Sequence, residues 1–142
     1  MSLRQTLVDT ALAWQQQYGV APAVTSAVSE LDAAQLVGMS DGEYSDYMQD
    51  KTAVARGHDF IYQGIRYQIK AHRPSGKPGS RITNAGKASN YEWDVLIWIR
   101  YNEKFEIEEA WAWGRDDYIA AFDQQKRISP EDMRQGKRVD NT

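Results

Sequence analysis

The chain has 142 residues, no cysteine and a net charge of −3. That length suits one domain with one core rather than two full-sized ones, and the lack of cysteine excludes disulfides, thiolate catalysis and cysteine-ligated zinc. No apolar run approaches a membrane span and no continuous apolar stretch follows Arg4, so the sequence predicts no membrane partner, no secretory signal and a cytoplasmic location.

The predicted elements run in a simple order. Leu3, Leu7, Ala11, Trp14 and Tyr18 recur at helical spacing, and Gly19 is a stop signal. A second helical segment lies between Pro22 and Gly38, with Val24, Ala27, Val28, Leu31 and Ala34 as its expected buried stripe. Ser40 followed by Glu43 is a capping-box pattern, opening a short helix that carries Tyr44, Tyr47 and Met48. The period then changes. Residues 59–62 read as a strand, Gln63-Gly64 as a tight turn, and Ile65 to His72 as the partner strand. Arg73 to Asn90 is a long polar loop rich in glycine, proline and serine. Val95 to Tyr101 is nearly all apolar, which suits a central strand. Residues 102–104 supply a turn, and Phe105 to Trp113 a further strand. Asp116 to Asp123 reads as a helix, and Ser129-Pro130 opens a last short one. The polar tail from Gly136 is expected to fray. The predicted class is α/β, as a single unit over residues 1–142: a helical N-terminal region over 1–50, a sheet core over 58–113 and C-terminal helices over 115–136.

The small net charge conceals a partition. Residues 1–50 carry −6, residues 51–90 carry +7 and residues 91–142 carry −4. Asp59 is the only acid in the basic middle. Such a tract creates a local field that attracts a polyanion even on an acidic chain.

Gln68, Lys70 and His72 are spaced by two on one strand and therefore share a face. Asp59 lies across the hairpin, where it can reach the same rim. Glu30 and Asp32 sit on the second helix, turned about 200° apart, so one of them at most faces that rim; Glu30 is preferred. Carboxylate and amide oxygens are hard ligands suited to Mg²⁺, which also binds phosphate. A lysine beside them can orient a water or neutralise developing charge. Arg56, Arg66, Arg73, Lys77, Arg81 and Lys87 are the expected phosphate-backbone contacts. His72 is read as a phosphate contact, a proton carrier or simply a polar strand end. With His58 and His72 the only histidines, zinc would need a His-His-carboxylate set.

Taken together, Gly57-His58-Asp59-Phe60 followed by Tyr67-Gln68-Ile69-Lys70 resembles the PD-(D/E)XK nuclease superfamily, the fold of many restriction endonucleases. The likeness spans about residues 22–123. It implies a restriction-endonuclease-like mixed β-sheet that starts with the motif-bearing hairpin and is flanked by helices. It maps Glu30 onto the helix acid, Asp59 onto the motif aspartate, Gln68 onto the (D/E) position and Lys70 onto the lysine. Two positions depart from the pattern: His58 replaces the namesake proline, and Gln68 replaces an acid, removing one negative charge while keeping a ligating oxygen. The resemblance implies a Mg²⁺-dependent endodeoxyribonuclease, with Mn²⁺ able to substitute and a type II restriction endonuclease within its range. Its catalytic residues would be Glu30, Asp59, Gln68 and Lys70, the first three holding metal. The implied partners are double-stranded DNA and a second copy of the chain, as a homodimer that cuts both strands.

Two other functions use the same residues differently. One is a catalytically silent nucleic-acid-binding module on this fold. The other is a structural or oligomerisation domain built on the aromatic strands around Trp93, Trp98, Trp111 and Trp113; packing is the preferred role of those tryptophans.

Overall fold

The computed structural model describes residues 1–51 and 57–140. Three helices come first: α1 (Leu3–Tyr18), α2 (Thr25–Leu36) and α3 (Asp41–Asp50). The strands β1 (Phe60–Tyr62), β2 (Ile65–His72), β3 (Val95–Tyr101) and β4 (Ile107–Gly114) follow, then α4 (Arg115–Phe122), α5 (Pro130–Met133) and β5 (Lys137–Arg138). The expected caps are present. Ser2 Oγ accepts from the Gln5 amide, Gly19 takes the left-handed conformation at φ 88°, and Ser40 and Glu43 cap each other reciprocally.

The five strands form one mixed sheet in sequence order. The β1–β2, β3–β4 and β4–β5 pairs are antiparallel, and β2–β3 is parallel, with Gln68 opposite Leu96 and Lys70 opposite Trp98. Parallel neighbours need a crossover; residues 73–94 make it without a helix. β3 is central and buried on both faces. Val95, Ile97, Ile99 and Tyr101 meet the core that takes in α1 and α2, while Leu96 and Trp98 meet a second core with Trp93, Trp113, Tyr118 and Phe122. In that second core the rings of Trp113 and Tyr118 lie 4.8 and 5.1 Å from that of Phe122. Trp93, Trp98 and Trp113 are thus packing residues.

Two features of the elements go beyond or against the sequence reading. The first is the rotation of α1. Val8 and Ala11 are buried, yet Leu3, Leu7, Trp14 and Tyr18 are 85%, 38%, 52% and 65% exposed. Arg4 sets the rotation of this helix. Its Nε and Nη2 donate to the two carboxylate oxygens of Asp32 at 2.7 and 2.9 Å, and Nη2 also donates to the Phe105 carbonyl at 2.8 Å. With Arg4 turned inward, the helical repeat brings Val8, Ala11 and Leu12 with it and leaves the neighbouring apolar stripe outside. The second concerns the tail. Residues 137–139 do not fray: Lys137–Arg138 pairs with β4, and the Val139 amide donates to the Ala110 carbonyl at 2.9 Å. Gly136 permits this approach, because a Cβ there would stand 2.5 Å from Trp113 Nε1.

Asp32 is 5% exposed and also accepts from the Tyr101 hydroxyl at 2.6 Å. Removing one partner of a buried ion pair leaves the other uncompensated. Asp32→Ala should therefore lose about 3 kcal/mol in urea unfolding at pH 7, and Tyr101→Phe about 1–2 kcal/mol. A loss below about 0.5 kcal/mol in both, the ordinary range for a surface change, would contradict this network's role.

Candidate functional site

Asp59 stands immediately before β1, where β2 continues past its short partner. Its amide donates to the Tyr67 carbonyl at 2.7 Å, and its Oδ2 accepts from the Ile69 amide at 2.7 Å. The side chain thus satisfies a strand amide that β1 is too short to pair. This fixes Asp59 beside the stretch of β2 that carries Gln68, Lys70 and His72. Across the rim, the start of α2 supplies Thr25, Ser26, Ser29 and Glu30. The N-cap of α2 is Val24, which offers no side-chain acceptor to the first-turn amides. These groups and Gly86 line one cleft of about 410 Å³. Larger grooves lie between α1 and β4, about 730 Å³, and over the sheet beside β5, about 1080 Å³; neither gathers these residues.

Glu30 and Asp59 line the same cleft. Burial, then the charge of Asp59 and a hydrogen bond with it, push the Glu30 carboxyl from 4.5 to about 7, against a smaller opposing pull from Lys51. Two carboxylates in one partly dry site do not both ionise freely. Tyr44 of α3 is pushed up to about 12, by burial first and then by the charges of both carboxylates. Gln68 and Lys70 make no side-chain hydrogen bond or ion pair among the described residues, so both heads remain available to a ligand.

Of the sequence-predicted site residues, the structure brings Glu30, Asp59, Gln68, Lys70 and His72 together. Asp32 is on the opposite side of α2, held by Arg4 and Tyr101, so Glu30 is the helix carboxylate at the rim. The predicted phosphate contacts do not gather there. Arg66 pairs with Asp94 at the other end of β2, at 3.1 and 3.2 Å. Arg73 donates to the Glu103 carbonyl at 2.7 Å and to Gln15 Oε1 at 2.8 Å, with its guanidinium 4.4 Å from the Phe105 ring centre. Lys87 donates to the Asp123 and Gln125 carbonyls at 2.7 and 3.0 Å, at the end of α4. Lys77 and Arg81 are exposed in the crossover loop, and Arg56 lies outside the described residues. One relevant base was missed. Lys51 Nζ donates to the Asp59 carbonyl at 3.0 Å, and its only sequence signal is that it opens the basic tract.

Among the described residues no three His, Asp or Glu side chains form a metal cluster. The donor set is smaller: two carboxylates and one amide oxygen. It nevertheless fits a hard divalent ion that keeps several waters, and such an ion would offset the burial and the neighbouring charge that raise the Glu30 carboxyl. No protein-family model matches the chain, and no curated protein matches it in sequence.

Because the folded-state pKa of Glu30 is raised, its ionisation opposes folding. The protein should lose stability from this group as pH rises from the ordinary carboxylate range through about 7. Glu30→Gln should accordingly raise the thermal midpoint at pH 8 and leave it unchanged at pH 4. A carboxyl-carbon NMR titration of the metal-free protein should place Glu30 near 7, and Asp59→Asn should lower that value. A Glu30 titration in the ordinary range would contradict this burial and coupling to Asp59.

Proposed function

We propose that this cleft hydrolyses DNA phosphodiester bonds, as a Mg²⁺-dependent endonuclease of restriction-endonuclease-like architecture. The observation that carries this reading is the meeting of Glu30, Asp59, Gln68 and Lys70 in one cleft. A mixed sheet whose first hairpin bears Asp59, Gln68 and Lys70, with α2 delivering Glu30, supports it further.

Glu30, Asp59 and the Gln68 amide oxygen would hold Mg²⁺, or Mn²⁺ in its place. Such an ion, when bound, polarises a phosphoryl oxygen and makes water a better nucleophile. The protein's own groups do the rest. Asp59 is held by the Ile69 amide, so one edge of its carboxylate points in a fixed direction. Glu30 exchanges a proton near neutral pH, which suits a group that must ionise when a cation arrives. Lys70 projects from the same face as Gln68, two residues along the strand. Its ammonium can hold the incoming water or a non-bridging oxygen while a P–O bond to water forms and the P–O ester bond breaks. Gln68 carries no charge, so the site relies on the two carboxylates and on substrate phosphate for its negative ligands.

Supercoiled plasmid incubated with the protein and Mg²⁺ or Mn²⁺ should be nicked or linearised. Lys70→Ala and Asp59→Ala, checked for folding by circular dichroism, should each cut at least about 100-fold more slowly. Plasmid retained on the protein in Mg²⁺ but left intact would favour the silent binding module. Equal cutting by all three proteins would overturn the assignment.

A further inference from the structure

The proposed hydrolysis leaves the His72 ring of the cleft without a task. His72 ends β2 on the face of Gln68 and Lys70. Trp98, opposite Lys70 on β3, is fully buried, and its indole Nε1–H donates to His72 Nδ1 at 3.1 Å. An indole nitrogen can only donate. His72 Nδ1 must therefore accept, which places the ring proton on Nε2. Beyond the ring lies the crossover loop, where Gly86 adopts φ +73°, and a Cβ at Gly86 would sit 3.6 Å from His72 Cε1 and 3.9 Å from Nε2. The imidazole is thus flanked by an indole edge and loop backbone, and Nε2 makes no hydrogen bond among the described residues. Burial first, and the charge of Lys70 second, hold the ring below the ordinary imidazole range.

We propose that His72 is a neutral hydrogen-bond donor to the substrate phosphate, fixed as the Nε2–H tautomer by Trp98, and that it does not transfer a proton. The inference rests on the nuclease reading and assigns it a further residue. A neutral imidazole holds its N–H proton far more tightly than an imidazolium, so it stabilises charge on a non-bridging oxygen without surrendering the proton. Lys70 and His72 then act differently on the same phosphate. The lysine is a flexible point charge, whereas the imidazole N–H has a direction set by its neighbour. Trp98 is a positioning residue, acting only through the ring it orients.

The test uses the full-length, nitrogen-15-labelled protein at pH 7. Long-range proton–nitrogen spectra should show His72 with an unprotonated Nδ1 and a protonated Nε2, identified by loss of those signals in His72→Gln. Trp98→Phe should mix the tautomers. Adding a short blunt DNA duplex, with Ca²⁺ in place of Mg²⁺, should shift the His72 Nε2–H resonance while Nδ1 stays unprotonated. In plasmid cutting, His72→Leu should lose about 100-fold, and His72→Gln, which keeps an N–H donor at nearly the same reach, should recover much of it. A protonated or averaged Nδ1 in the wild type would overturn the inference. So would a bound duplex that leaves Nε2–H unmoved, or equal cutting by the Leu and Gln variants. A duplex that does not bind at any salt concentration would overturn the nuclease reading and this inference with it.

Discussion

A carboxylate taken out of water needs a partner, and α2 meets that demand in two opposite ways within two residues. Asp32 is buried against Arg4 and Tyr101, with every oxygen engaged by a donor. That network orients α1, ties it to α2 and reaches the turn before β4 through the Phe105 carbonyl. Glu30, on the other side of the helix, meets another carboxylate, and burial there favours its protonated form. One acid is neutralised by the fold. The other is left with a deficit that only a proton or a cation removes.

The same contrast sorts the basic residues. Arg66, Arg73 and Lys87 are committed to an aspartate, to backbone carbonyls and to a helix end. Lys70 keeps its ammonium free among the described residues, and it lines the same cleft as the two carboxylates. Among the described residues of the +7 segment, several cations are therefore committed to the fold, while Lys70 in the cleft and the exposed Lys77 and Arg81 of the crossover loop are not. The cleft's own positive character rests on Lys70, with Lys51 behind Asp59.

Local signals carried most of the elements. Alternation across Ile65–His72 put Gln68, Lys70 and His72 on one face, and the isolation of Asp59 in a basic tract pointed to its partner position. Caps such as Ser40–Glu43 and Ser129–Asp132 are short-range patterns and appear as expected. What the chain did not disclose were contacts made at long separation. The rotation of α1 depends on an Arg4–Asp32 pair 28 residues apart, so the more apolar stripe lost to the one adjoining the ion pair. Arg66 and Arg73 find partners 28 and 30 residues away. Strand β5 has two polar residues and no alternation to read; its pairing follows from the space that Gly136 leaves beside Trp113.

We propose Glu30 and Asp59 as a cation site whose negative charge the fold does not fully offset. Calorimetric titration of the full chain with Mn²⁺ at pH 6.5, in buffers of different ionisation enthalpy, tests it directly. Saturable binding with release of up to one proton is expected, with the proton release absent in Glu30→Gln and binding greatly weakened in Asp59→Asn. Mn²⁺ affinity and proton release unchanged by both substitutions would contradict it.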